Sequence, residues 1–203
     1  MIGPRAPFAL LLLATLVSCR APIKGRAVAR TTPAATDVVA AREILSPEGA
    51  PLQMTCTPSG PELCFDATDN NCNGIIDEGC GVETGPLQFA IAWPEGADVD
   101  LEVTDPGNEK PKADGRTESG LTKGRDCGRA QSVCHGQNIE NVFFPGDRPP
   151  PGRYKVEIKV DKPEEVHFPL RVRFGARVGV KTMSLDVDIT SPEDTKVFTF
   201  AIP

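Results

Sequence analysis

From Pro86 onward, apolar and polar positions alternate with a period of two. The pattern runs through Leu87-Gln-Phe-Ala-Ile-Ala-Trp93, then Val99-Asp-Leu-Glu-Val-Thr104. After the turn at Pro150-Pro-Gly152 it returns cleanly in Arg153-Tyr-Lys-Val-Glu-Ile-Lys-Val160. Further runs are 166–174, Met183-Ser-Leu-Asp-Val-Asp-Ile189 and Lys196-Val-Phe-Thr-Phe-Ala-Ile202. In a strand, alternate side chains point to opposite faces, so each run has one apolar face. Short strands with Gly/Pro breaks predict an all-β fold, an antiparallel β-sandwich over residues 86–203. No stretch reads as a long amphipathic helix.

The chain ahead of it has a different grain. Residues 20–55 carry Pro22, Pro33, Pro47 and Pro51 and no β-period. They predict a flexible tether, about 35 Å across as a coil. Within it, Thr36-Asp-Val-Val-Ala-Ala-Arg-Glu-Ile-Leu45 has the cap and composition of a short helix. Still earlier, Arg5 precedes the apolar run 8–17, too short to span a bilayer comfortably. That run ends in Leu16-Val17-Ser18-Cys19.

Between tether and strands lies a segment dense in cysteine and oxygen donors, 56–85. Cys56, Cys64, Cys72 and Cys80 recur every eight residues, and Cys127 and Cys134 form a second, local pair. In an exported chain these six thiols predict three disulfides. Cys127–Cys134 is the expected local pairing. The other four allow three arrangements, and their spacing does not choose among them. Asp69, Asn71, Asn73, Gly74 and Asp77 occupy positions 1, 3, 5, 6 and 9 of a D-x-N-x-N-G-x-x-D loop. Calcium takes six to eight oxygens, and alternate residues of a tight loop can converge on one ion. The predicted ligands are Asp69, Asn71, Asn73, the Ile75 carbonyl, Asp77 and Glu78. Position 12, where an EF-hand carries Glu, is Cys80, so the loop is not an EF-hand. It is similar to the shorter loops of thrombospondin type 3 repeats and dockerins. A second candidate cation site joins Asp98 and Asp100, on one strand face, with Glu140.

Three resemblances add to this. The box ending at Cys19 resembles the bacterial lipoprotein cleavage site. It implies a signal peptide at 1–18, a lipidated Cys19 and an outer-membrane lipoprotein, anchored to the membrane through several acyl chains. Residues 62–80, ELCFDATDNNCNGIIDEGC, resemble the Cys-rich metal-binding motif of the MopE type, with Phe65-Asp66 for its usual Asp-Gly, one extra residue before Cys72, and Asn for Asp at 71 and 73. The strand region, 86–175 especially, looks like the bacterial β domains called DUF2135 or YfaP-like. The residues that carry this are Trp93, Ala97-Asp-Val-Asp-Leu-Glu-Val-Thr-Asp-Pro106, Gly136-Gln-Asn-Ile-Glu-Asn-Val142 and Pro151-Gly-Arg-Tyr-Lys-Val156. That resemblance implies a secreted module without assigned biochemistry.

Composition narrows the field. Only 39% of the 203 residues are apolar and 5% aromatic, which limits the chain to one modest core. The net charge of −6 falls to −7 when the segment holding Arg5 is removed. Such an acidic chain speaks against nucleic acid as a partner and suits cations. No nucleophile elbow, zinc-protease or phosphate-loop motif occurs, and neither His135 nor His167 sits in triad spacing, so the expectation is no enzyme. The reading is a lipid-anchored envelope protein with a calcium-binding interaction or structural module. A carbohydrate-binding module is the alternative, and a hydrolase fragment stands behind it. The partner would be an envelope protein or polysaccharide.

Overall fold

The computed structural model describes Gly3 and residues 39–94, 97–113, 115–127, 137–161 and 166–203. Residues 4–38, with Cys19 and the first half of the predicted tether, and Cys134 and His135 lie outside the described residues. Among those described there is no helix and there are nine strands: β1 (Glu43–Leu45), β2 (Leu87–Ala92), β3 (Val99–Thr104), β4 (Thr122–Lys123), β5 (Ile139–Phe144), β6 (Gly152–Val160), β7 (Leu170–Val178), β8 (Lys181–Ile189) and β9 (Lys196–Ile202). They form two antiparallel sheets, β1-β9-β6-β3 and β4-β5-β2-β7-β8, which pack as a sandwich.

The alternation predicted for β3 and β6 is the one observed. Val99, Leu101 and Val103 are buried, as are Tyr154, Val156, Ile158 and Val160, while the residues between them face out. Between the sheets sits an aromatic cluster. Phe89 meets Phe200 edge-on at 4.8 Å, and Phe174 stacks on Phe198 at 4.5 Å. Such ring pairs add about 0.5–1.5 kcal/mol beyond the area they bury. Trp93 and Tyr154 belong to this interior. Trp93 Nε1 donates to the Ala97 carbonyl at 2.8 Å, and the Tyr154 hydroxyl donates to the Pro150 carbonyl at 2.8 Å.

Two elements differ from expectation. The predicted helix ending at Leu45 is not formed at its C-terminal end, where β1 stands. Ile44 pairs with Phe200 and is buried, and the Leu52 amide donates to the Ile44 carbonyl at 2.8 Å. A short helix has little stability of its own, whereas an edge position buries Ile44, Leu52 and Met54 against the core. Residues 43–55 are therefore part of the fold and not of the tether. Strand β7 starts at Leu170, four residues later than predicted, and runs past Gly175 to Val178.

The six residues of β2 are all buried, although alternation predicts one exposed face. Leu87, Phe89 and Ile91 enter the sandwich core, and Ala90 and Ala92 pack instead against Ala67 and Ile76 of the cysteine-rich segment. That segment lies on the outer face of the larger sheet. Gly175 in β7 allows the approach, because a Cβ there would stand 2.1 Å from the Ala67 carbonyl oxygen. The division expected between residues 85 and 86 is thus bridged by a buried contact, and both parts belong to one compact unit.

Candidate functional site

The disulfides of the cysteine-rich segment are Cys56–Cys72 and Cys64–Cys80. Each pair is separated by 16 positions in sequence, and the two loops overlap along the chain. On the chain-entropy model, a loop of that length contributes about 3 kcal/mol per bridge. Cys127 is also disulfide-bonded, to a cysteine outside the described residues.

These bridges hold a backbone that needs support. Phe65, Ala67, Cys72 and Asp77 all have left-handed φ, between 52° and 66°. Each such residue costs on the order of 1 kcal/mol unless its surroundings fix it. Asp77 supplies much of that fixing. It is fully buried, and its carboxylate accepts from the backbone amides of Phe65, Asp66 and Ala67. Burial pushes its carboxyl up to about 6, with the Asp66 amide the strongest of the bonds pulling it back.

Asp69 anchors the loop proper. Its Oδ1 accepts from the Asn73 amide at 3.1 Å. Its Oδ2 accepts from the Gly74 amide at 2.8 Å and from the Thr182 hydroxyl of β8 at 2.8 Å. Gly74 is required twice over. Its φ is +93°, and a Cβ would stand 2.8 Å from the Val180 carbonyl oxygen. The Asn71 and Asn73 carbonyl oxygens accept from the amides two residues ahead, at 2.9 and 3.0 Å. Their NH₂ groups both donate to Glu78, Asn71 at 2.7 Å. Those two amides hold Glu78 below the ordinary carboxylate range.

Of the six predicted ligands, then, the structure gathers Asn71, Asn73 and Glu78 at the surface. It fixes Asp69 through the amides of Asn73 and Gly74, turns Asp77 toward residues 65–67, and ties the Ile75 amide to Asn73. Sequence reasoning missed Glu62. Its Oε2 accepts from the Asn70 amide at 3.1 Å, and its Oε1 is buried with no donor. Burial raises its carboxyl, the Asn70 and Asp77 backbone amides pull it back in part, and the charges of Asp69 and Glu78 add to the rise. The unbonded chemistry that this loop offers a cation is carboxylate and amide oxygen, since its sulfurs are held in disulfides, and that suits a hard ion. Beside the loop, a cleft of about 520 Å³ separates the segment from the face of β7 and β8, with Phe65, Asp66, Asn70, Arg171, Arg173 and Asp186 in its walls.

The second candidate site has a different composition from that predicted. Asp100 and Glu140 do come together, but the third carboxylate is Asp126 and not Asp98; one oxygen of each lies within 4.8 Å of the others. The cation they meet is Lys123. Its ammonium is 2.7 Å from Glu140 Oε2 and 3.1 Å from Asp126 Oδ1. This pair also closes an edge of the smaller sheet, where β3 has a free side. The Leu101 amide donates to Glu140 Oε2 at 2.8 Å, and Lys123 Nζ donates to the Leu101 carbonyl at 3.2 Å. Side chains of one sheet thereby satisfy the exposed backbone of the other. Burial pushes the Glu140 carboxyl up to about 9 against the pull of Lys123. Burial alone would lower the Lys123 ammonium, but Glu140 and Asp126 outweigh it and hold it above its ordinary value.

His167 is exposed on the approach to β7. Because Trp93 and Tyr154 are interior, neither offers a flat ring to a sugar. No family model, no curated protein and no solved structure matches this chain.

Proposed function

We propose that the chain is an exported, lipid-anchored envelope protein, related to the MopE-type and YfaP-like proteins it resembles, whose cysteine-rich loop binds calcium. Bound calcium would fix the knot against the sandwich so that it presents a surface to an envelope partner. The observation that carries the reading is Glu62 Oε1, a buried carboxylate oxygen without a donor, beside a loop that carries the carboxylates of Asp69 and Glu78. A buried acceptor left unmet costs about 1–3 kcal/mol, and more when charged. A cation would offset that cost and the repulsion from Asp69 and Glu78. Asp69, Asn71, Asn73, Glu78 and Glu62 would hold the ion, and Asp77 would shape the loop from behind. Calcium supplies charge neutralisation here and no chemistry. With Asn in place of Asp at two positions, the expected Kd is on the order of 10⁻⁴–10⁻³ M, the range of extracellular modules.

Titration calorimetry of calcium into the disulfide-intact protein tests this. Glu78→Gln is the informative variant, because Glu78 sits at the surface and anchors none of the knot's backbone. The wild type should bind one ion, and Glu78→Gln should weaken it about tenfold, the loss of about 1.4 kcal/mol. Equal or absent heats in both proteins would remove the calcium reading.

A further inference from the structure

The Lys123 cluster carries an inference that does not rest on the calcium loop. Charged side chains are scarce in interiors, and this cluster places a nearly buried amine against two nearly buried carboxyls. Lys123 is 8% exposed and Glu140 is 0% exposed. Glu140 Oε1 is buried with no donor. Its Oε2, in contrast, already receives Lys123 and the Leu101 amide. A proton on Oε1 would turn that orphaned acceptor into a donor, and a carboxylate oxygen of Asp126 lies within 4.8 Å of one of Glu140. The three residues therefore stand as an amine, an acid that can pass protons, and a second carboxyl that touches the amine and lies near the acid.

We propose that Lys123 and Asp126 condense into an amide crosslink, Nζ to Cγ, with Glu140 as the proton carrier and water as the only other product. Glu140 passes its proton to Asp126, making a neutral carboxylic acid. Lys123 passes a proton to the emptied Glu140 across 2.7 Å and becomes a free amine. The amine lone pair attacks Cγ, to which the contacting Oδ1 at 3.1 Å is bonded. Through Glu140, the second nitrogen proton moves to the departing oxygen. The C–O bond breaks, water leaves, and Glu140 ends as it began. No oxidant, metal or cofactor is needed.

Two physical terms favour this direction. Holding the groups in contact replaces a bimolecular step by one with an effective molarity of about 10⁵ M or more. The condensation also removes an ammonium and a carboxylate from a buried site, where charges pay a desolvation penalty that a neutral amide escapes. The neighbouring Cys127 disulfide restrains the backbone beside Asp126. Lys123 and Asp126 also line a cleft of about 520 Å³ through which the water can leave.

The test is peptide mapping of the full chain after export, reduction and digestion. Lys123 and Asp126 should be recovered in one species lighter by one water and uncut after Lys123, with fragmentation placing the bond between the two side chains. Glu140→Gln keeps the shape but cannot shuttle the proton, so that variant should fold, by circular dichroism, and keep its full mass. Lys123→Arg should also keep its full mass. An uncondensed wild type overturns the proposal. So does a bond mapped to Glu140, or a loss of water that persists in Lys123→Arg, which would mark a cyclised Asp126.

Discussion

Replacing Gly175 by alanine should destabilise the protein by about 3 kcal/mol and loosen the knot from the sheet. The added Cβ would stand 2.1 Å from the Ala67 carbonyl oxygen, a backbone atom that cannot swing aside. Overpacking of this kind costs roughly 1–3 kcal/mol, more when backbone must move. Here the movement would also part Ala67 and Ile76 from Ala90 and Ala92, and strain the bond from Thr182 to Asp69. Gly175 lies in mid-strand, paired with Ala90 and Ser184, where alanine would ordinarily be neutral or helpful. Chemical denaturation read by far-ultraviolet circular dichroism measures the difference. A change under 0.5 kcal/mol would mean that the knot does not rest on this sheet face.

The second large effect is expected from Lys123→Met, measured against the chain in which Lys123 still carries its ammonium. Removing one partner of a buried pair strands the other, which costs about 3–5 kcal/mol. The variant would leave Glu140, Asp126 and Asp100 facing one another and the Leu101 carbonyl without its donor. Its pH dependence should be distinctive. Glu140 titrates at about 9 in the folded chain against 4.5 ordinarily, so between those values the folded protein holds a proton that the unfolded chain has released. Stability from this group is therefore fully present below about pH 4.5 and declines as pH rises toward 9. Asp77, raised from 3.8 to about 6, works in the same direction over the lower part of that window. Glu102, lowered to about 2, completes its change below it. Without the ammonium, Glu140 should hold its proton still more tightly and the variant should recover best in acid. Denaturation midpoints at several pH values from 5 to 9 test this. A variant more stable at pH 9 than at pH 5 would contradict it.

The sandwich was legible because its strands are half-buried. Val99, Leu101 and Val103 alternate with polar residues, and so do Tyr154, Val156 and Ile158, so period two reports the burial directly. The same rule fails where a strand is covered on both faces. Ala90 and Ala92 are small enough to read as an outer face, and only the docked knot buries them. Strand β5 also escaped notice, because buried Glu140 and Asn141 interrupt its apolar pattern. The signal for that site was Lys123, an isolated lysine whose partners come from other strands, and no local spacing reveals such a meeting. In the knot, the oxygen donors and cysteines announced a stapled loop. Equal spacing of the cysteines left the pairing open, and the bond from Asp77 to residues 65–67 depends on left-handed turns that composition does not specify. The end of the predicted tether is a strand that no local pattern announces, because β1 is only three residues long and acquires its stability from β9.

Calcium should do more than bind. If it holds the knot against the sandwich, it must stabilise the one unit they form. The most direct measurement is scanning calorimetry of the disulfide-intact protein, first in chelator and then in calcium at a hundredfold excess over Kd. A ligand specific to the folded state adds about 2.7 kcal/mol at that excess. The account predicts one cooperative transition that moves upward with calcium, and a smaller shift in Glu78→Gln. Two separate transitions, or one transition that stays in place at that excess, would contradict it.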